Sequence, residues 1–487
     1  MPIRQYKQGI ARQQSFLLPA RVEEYVAEDN PVRAIDVYVD SLDIHKLGFK
    51  NAIDSLTPGQ PAYSPSDLLK LYLYGYLHRI RSSRRLEQET KRNLEVIWLV
   101  QGLRPSYKTI ADFRKDNLKP LKKVNQDFVQ LCKELDLFGG ELVSIDGSYF
   151  RGNVSKGSIY MEEGLKKSLE RIEKHIDEYL QVLEKADSEE AGQNNEDQPS
   201  LQEKLAILKD RQQKHQMRLK KLHETGEKQL AEVDEDARLL SKNGQSIAGY
   251  NIQTAVDEKN KLLVICEVTQ DGNDEEQLEP MAKKAKEVLE VAKLEVVADA
   301  GYFNLQGIKN CVDENITPYT PVSARTNQAS LQGRFSREDF SYNEKTNSYT
   351  CPAGKELCYQ GTRLDHGKVI LNYISSTSIC ALCPLKGQCL PPKSPRRQIS
   401  RWEHERFIEA HRERMAQKGR DMMRKRSSLS EHPFGTLKQW CGWTHFLLRG
   451  LEKVRAEMSL LMLCYNFKRV LNILGLDGWR AYCLQRR

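Results

Sequence analysis

Leu142-Val143-Ser144-Ile145-Asp146-Gly147 and, much later in the chain, Leu294-Glu295-Val296-Val297-Ala298-Asp299-Ala300-Gly301 decide the fold. Each is a short apolar run of the kind that forms a buried strand, and each delivers an aspartate followed by a small residue. Between them, Tyr250 to Val256 alternates, Asp257-Glu258-Lys259-Asn260 turns the chain, and Leu262 to Val268 supplies a hairpin partner. Glu279 to Ala292 then reads as an amphipathic helix carrying Met281, Ala285, Val288, Leu289 and Val291. Strand, hairpin, helix, strand is the order of a mixed sheet, not of a doubly wound parallel one. With the first and fourth of these strands adjacent, Asp146 and Asp299 project from one edge, near enough to share metal ions. Magnesium prefers such oxygen ligands, and two ions about 4 Å apart activate an attacking oxygen and stabilise a leaving one in phosphodiester chemistry. Taken alone, either aspartate also fits an ordinary turn after a strand. Two in this order are harder to produce by chance.

The expected fold is therefore α/β, with an RNase H-like mixed-sheet core from about 141 to 487, and it requires a third carboxylate from a later helix. Two insertions are expected in it. Residues 158–235 carry Leu165, Leu169, Ile172, Ile176, Leu180 and Leu183 at heptad-like spacing, then the polar break EEAGQNNEDQPS, then Leu201, Leu205, Leu208, Leu219 and Leu222. That pattern is an antiparallel helical hairpin. Residues 335–395 hold Cys351, Cys358, Cys380, Cys383 and Cys389. Cys380-x2-Cys383 has the spacing of a tetrahedral zinc knuckle, and Cys351 with Cys358 offers a second pair, so structural zinc on four of the five is expected. The remaining six cysteines are scattered through apolar patterns and read as core.

Residues 1–140 read as an all-α domain. Ser66-Asp67 is the expected cap of an apolar run from Leu68 to Ile80. A second run follows through Leu86 to Leu99, and Pro105-Ser106 opens a third through Leu118. Helix, short turn, helix suits a helix-turn-helix with Arg104, Lys108, Arg114 and Lys115 as its basic face; an ordinary bundle suits it equally.

The chain of 487 residues is 39% hydrophobic and 29% charged, with a formal net charge of +8. No stretch approaches the roughly 20 apolar residues of a membrane span, and MPIRQYKQGIARQQSF lacks the apolar segment of a secretory signal. Eleven cysteines in this length make no disulfide scaffold, so a reducing, cytoplasmic setting is expected. The positive charge is clustered. Between Lys393 and Arg426 twelve Lys or Arg face five Asp or Glu, which suits phosphate-backbone contact, although several of these acids can pair with them along a helix. Trp402 reads more readily as packing than as a stacking platform.

The stretches SIDGSYFRGN (from Ser144), AGYNIQTAVD (from Ala248), VVADAGYFN (from Val296), EHPFGTLKQW (from Glu431) and YNFKR (from Tyr465) together resemble bacterial insertion-sequence DDE transposases. The similarity is to the subgroup with a helical N-terminal domain and a cysteine-bearing insertion, and it runs from about Tyr63 to Leu471. It implies two-metal chemistry with Mg2+ or Mn2+ on Asp146, Asp299 and Glu431. It implies cleavage at the element's ends followed by strand transfer, with terminal repeats and target DNA as double-stranded partners. A homodimer or larger synaptic assembly follows, and a place beside the bacterial nucleoid.

Glu431-x6-Lys438 matches the family's Glu/Lys spacing, which puts Lys438 on the acid's face of a helix beginning near Glu431, because Pro433 suits only a first turn. Ser427 and Arg424 stand where the signature has Arg and Tyr, leaving Arg424, Lys425 or Arg426 to replace the missing cation. Arg396, Arg397, Arg424, Lys425, Arg426 and Lys438 are the expected DNA contacts, with Glu452 and Glu457 as reserve acids. The rival readings are a structure-specific nuclease of the same core and a non-catalytic DNA-binding descendant.

Overall fold

The computed structural model describes residues 21–52, 62–189, 198–242, 244–322, 333–365, 367–391 and 393–486. Helices α1 (Val32–Asp40), α2 (Ile44–Leu47), α3 (Pro65–Leu77), α4 (Ser83–Arg92), α5 (Leu94–Leu99), α6 (Tyr107–Asp116) and α7 (Leu118–Glu134) precede the first strand. Helix α3 is apolar nearly all round and correspondingly buried from Leu68 to Tyr76. Its cap is Ser64, two residues earlier than expected: the Ser64 hydroxyl accepts from the Ser66 N–H, and Pro65 takes the first position, where no N–H is needed. The second expected run divides at Asn93, whose side chain accepts from the N–H groups of Glu95 and Val96 and so starts α5. Ser106 caps α6. Arg114 does not belong to an exposed basic face: it is buried, donates to the Tyr76 hydroxyl and lies over the Tyr72 ring. Arg104, Lys108 and Lys115 are exposed.

The central sheet contains β1 (Leu142–Arg151), β4 (Arg238–Lys242), β5 (Gln245–Asp257), β6 (Leu263–Thr269), β7 (Leu294–Val297) and β8 (Ile316–Tyr319). A separate two-stranded ribbon, β2 (Ile159–Met161) with β3 (Gln229–Ala231), closes the base of the hairpin insertion. Strand β5 pairs antiparallel with β1 on one side and with β6 and β4 on the other; β7 and β8 continue beyond β1 in parallel. The first and fourth strands of the expected core are thus neighbours.

One expectation is corrected. Strand β1 does not stop at Asp146 but runs on to Arg151, because β5 is long enough to pair with it from Val143 to Arg151. What ends at this point is the parallel pairing to β7, whose last partners are Ser144 and Val297.

The hairpin insertion is α8 (Glu162–Glu189) with α9 (Gln198–Thr225), and Leu165, Ile172, Ile176 and Leu222 are buried. Its tip at 190–197 and the side chains at 183 and 201 lie outside the described residues. Helices α10 (Leu278–Leu289) and α11 (Leu305–Asp313) connect the strands of the central sheet. Between β8 and the next long helix lies a second, antiparallel sheet in the order β13-β12-β11-β10-β9. Its strands are β9 (Ser341–Asn343), β10 (Ser348–Thr350), β11 (Glu356–Asp365), β12 (Lys368–Ile374) and β13 (Gln398–Trp402). Its own core is small: Phe340, Tyr349, Leu357, Tyr373 and Ile399.

The helix Glu405–Gly435 packs against β8, β1 and α11. It does not begin near Glu431, as Pro433 had suggested; Pro433 sits inside it, two residues before its end. The proline's missing N–H takes one bond from the ladder, that to the Leu429 carbonyl, and a π turn, Thr436–Trp440, follows. The C-terminal helix Leu451–Gln485 kinks at Gly475 (φ 69°) and returns to the N-terminal helices. There Trp479 Nε1 donates to the Ala34 carbonyl at 3.0 Å and Arg486 pairs with Asp127. One continuous apolar cluster joins N-terminal helices, central sheet and C-terminal helix. Among the described residues no helix is long and apolar enough to cross a membrane.

Candidate active site

Two residues beyond the Ser144–Val297 pair, each strand presents an aspartate: Asp146 on β1 and Asp299 just after β7. Because parallel strands in register present equivalent positions to the same face, the carboxylates come together. Oδ1 of Asp146 lies 3.2 Å from Nη2 of Arg426, and Oδ2 of Asp299 lies 3.5 Å from that same nitrogen. Asp146 also accepts from the Gly147 N–H at 3.0 Å, and Asp299 from the Gly301 N–H at 2.8 Å, which fixes both side chains. Both remain partly open to solvent, with side-chain exposures of 17% and 33%.

Below them lies a buried polar network. Asp274 accepts from Asn251 Nδ2 at 2.9 Å and Gln253 Nε2 at 2.6 Å, and the Tyr302 hydroxyl donates to Gln253 Oε1. Burial, and then the nearby charges of Asp274, Asp146 and Asp299, push the Tyr302 phenol well above its ordinary range, so it stays protonated and donates. Gly147 makes this packing possible: a Cβ there would stand 2.5 Å from Gln253 Nε2, 2.6 Å from Asp274 Oδ1 and 2.9 Å from the Tyr302 hydroxyl. None of Asn251, Gln253, Asp274 or Tyr302 was singled out in the sequence. The available signal was the pair of polar residues, Asn251 and Gln253, on one face of a strand that is buried on both sides.

The other expected residues divide. Lys438, in the π turn, donates to the Ser148 hydroxyl at 2.6 Å and the Tyr149 carbonyl at 2.8 Å and lies over the Phe150 ring, so it runs along the Asp146 face of β1. The π turn also breaks the angular register, and seven residues from Glu431 no longer measure two α-helical turns. Glu431 is exposed on the Glu405–Gly435 helix, five residues past Arg426, which turns it about 140° away from the guanidinium's direction. Arg426, not Glu431, is the side chain that meets both aspartates. Lys425 pairs with Glu258 and Arg424 with Asp421, the latter pair well exposed. Arg396 is exposed, whereas Arg397 donates to the carbonyls of Cys389 and Phe335 and braces the small sheet. Trp402 is buried, a packing residue.

Of the reserve acids, Glu452 is exposed and pairs with Lys122 and Arg455. Glu457 is fully buried and accepts from the N–H groups of Leu447 and Leu448. Burial raises its pKa even so, and it holds a loop instead of facing the aspartates. Among the described residues no three or more His, Cys, Asp or Glu side chains are already arranged as a metal-binding group. Of the five clustered cysteines, Cys351, Cys380, Cys383 and Cys389 line one cavity, while Cys358 is exposed.

A mixed sheet that sets an aspartate of β1 beside one just past the end of the adjacent parallel strand β7 defines the class: an RNase H-like phosphoryl-transfer enzyme. Residues 210–467 match the model of the transposase DDE domain family, and residues 20–116 match that of a second transposase domain, DUF772. The chain belongs to the transposase DDE domain family; it is a DNA transposase, and its partner is DNA. Among solved structures, the piggyBac transposase synaptic complex with hairpin DNA aligns over 94% of this chain and 79% of that one, at 10% identity and a TM-score of 0.33, a likeness too low to carry any argument. No curated protein sequence matches the chain.

Proposed function

We propose that Asp146 and Asp299 are the first two metal-binding acids of the transposase and that Glu431 completes the set when DNA is engaged. The observation that carries this is the single Arg426 nitrogen shared by the two carboxylates. Two acids held side by side are a hard oxygen donor set, which fits Mg2+ or Mn2+. A guanidinium between them supplies the positive charge such a pair demands. A bound divalent cation would supply Lewis acidity and lower the pKa of an attacking water or 3′-hydroxyl. The chain's own residues do the rest. The N–H groups of Gly147 and Gly301 hold the carboxylates, Lys438 and Ser148 fix β1 beside them, and Arg426 turns to the scissile phosphate. Glu431 reaches the site by adjustment of the helix end, where Pro433 removes a ladder hydrogen bond and the π turn follows.

In this reading the enzyme cuts at the element's terminal repeats and joins the freed 3′-hydroxyl to target DNA. Exposed Lys108 and Lys115 on α6 and Arg104 in the loop before it, with Arg396 and Arg424, contact the double-stranded backbone. Joining two ends in one event calls for a homodimer or larger assembly. The same reading sets the protein beside the bacterial nucleoid in the cytoplasm, in keeping with the reducing compartment expected for its cysteines.

The test is a Mg2+ or Mn2+ cleavage and joining assay on DNA carrying the element's ends, with wild type, Asp146→Ala, Asp299→Ala and Glu431→Gln. Joined products from wild type alone support the reading. Cleavage without joining indicates a nuclease. Activity retained in Glu431→Gln removes that residue from the set.

A further inference from the structure

The small sheet between β8 and the Glu405–Gly435 helix is under-supported by its own core. Five buried side chains, worth about 1.5–3 kcal/mol each, are few for the stretch 335–402. Beside that core lies a cavity of about 30 Å³, room for one ion, whose lining includes the sulfur-bearing residues Cys351, Cys380, Cys383 and Cys389. We infer that these four cysteines hold one structural zinc ion and that Cys358 takes no part.

Three observations carry this. First, the Cys351 turn is shaped to serve a thiolate. The Cys351 N–H donates to the Lys355 carbonyl at 2.8 Å, and the Gly354 N–H to the Cys351 carbonyl at 2.8 Å. Gly354 adopts φ 72°, a left-handed conformation in which a side chain is strained. The result is that the Lys355 N–H points at the Cys351 sulfur, at 3.3 Å. A backbone N–H aimed at sulfur stabilises a metal-bound thiolate much more than a neutral thiol.

Second, the other knuckle has matching support. The Ser375 hydroxyl lies 2.8 Å from the Cys380 sulfur, and Cys383 follows in the next turn, its N–H directed to the Cys380 carbonyl. Cys389 lines the same cavity. Lys355, Lys386 and Arg397 also line the cavity, a cationic surround suited to the net negative charge of a zinc ion carrying four thiolates.

Third, strand alternation excludes Cys358. Its neighbour Leu357 is fully buried in the sheet's core, so Cys358 stands on the opposite face of β11 and is exposed. A zinc ion bound there would take the four sulfurs as thiolates, each thiol releasing its proton as it binds.

The consequence reaches the active site. Strand β13 leads within a few residues into the Glu405–Gly435 helix; the Arg401–Glu409 ion pair ties the two together, and Arg337–Glu405 ties the helix to the segment before β9. Zinc would therefore anchor the near end of the helix that carries Arg426.

This inference does not depend on the reading of the aspartates, and its test keeps the two apart. Full-length protein with a non-chelating tag is purified without added metal, and its zinc is measured by elemental analysis. The expected result is one zinc per chain in wild type, in Cys358→Ser and in the Asp146→Ala/Asp299→Ala double variant, with loss in Cys383→Ser. Cys383→His guards against simple misfolding: it should keep the metal and change the visible spectrum of the cobalt-substituted protein. Wild type that is metal-free with its thiols reactive or disulfide-linked would overturn the inference. So would Cys358→Ser losing as much zinc as Cys383→Ser.

Discussion

Nη2 of Arg426 lies 3.2 Å from Oδ1 of Asp146, and the Asp299 carboxylate shares the same nitrogen. The guanidinium occupies the place in which a cation between the two acids is expected, so metal and arginine compete for one pair of carboxylates. Arg426→Gln should bind Mn2+ about tenfold or more tightly, as one nearby positive charge is removed. DNA cleavage should fall in the same variant, because the phosphate loses its arginine. A Mn2+ titration followed by electron paramagnetic resonance reads the first effect. Equal affinity in wild type and variant would show that the guanidinium does not compete.

The network beneath the acids predicts a steric effect of one methyl group. Gly147→Ala places a carbon within 3 Å of Gln253, Asp274 and Tyr302, none of which has open space to move into. Overpacking of this kind costs about 1–3 kcal/mol, and it displaces the residue adjoining Asp146. Gln253→Ala should cost a similar amount by a different route, leaving the Tyr302 hydroxyl and Asp274 short of a partner at about 1–3 kcal/mol. Urea unfolding measures both losses. A Gly147→Ala protein of unchanged stability and activity would contradict the packing described.

Lys438 and Arg424 separate bracing from DNA contact. Lys438 is engaged with Ser148 and the Tyr149 carbonyl, whereas the Arg424 side chain is 68% exposed. Arg424→Ala should lower the slope of log affinity for DNA against log salt by about 0.9, the loss of one phosphate contact. Lys438→Met should leave that slope unchanged while lowering the melting temperature. A slope that falls in Lys438→Met would instead make the lysine a phosphate ligand.

The core topology was legible because apolar strand patterns, a turn and an amphipathic helix are local signals, and their order alone specifies a mixed sheet. The pairing of Asp146 with Asp299 was legible for the same reason. Arg426 was not, because a run of three cations, Arg424-Lys425-Arg426, offers no local clue to which one faces inward; that depends on how the helix docks on β1 and β8. The start of that helix was misread at Pro433 because the rule that a proline opens a helix is statistical, and the packing that carries the helix through it, against β8, β1 and α11, is not local in sequence. Asp274 was hidden in an acidic loop, DGNDEE, where only the distant Asn251 and Gln253 single it out.

The docking of the same helix carries a pH dependence. His411 is fully buried, and one ring nitrogen, Nε2, meets the Thr320 carbonyl at 2.8 Å. Burial, with Arg414 and Arg412 adding to it, lowers its pKa below the ordinary value of 6.5 despite that hydrogen bond. The folded protein therefore holds the imidazole neutral, and acid favours the unfolded chain. The stability it contributes is present above the unfolded value, about 6.5, and is lost as pH falls from there toward the folded value. Melting temperatures of wild type and His411→Gln, compared from about pH 7.5 down to about pH 5, isolate this residue from His78 and His432, whose values are also lowered. Glutamine can donate to Thr320 but does not titrate, so the two curves should converge as pH falls. Parallel curves would mean that His411 takes up its proton equally well in both states.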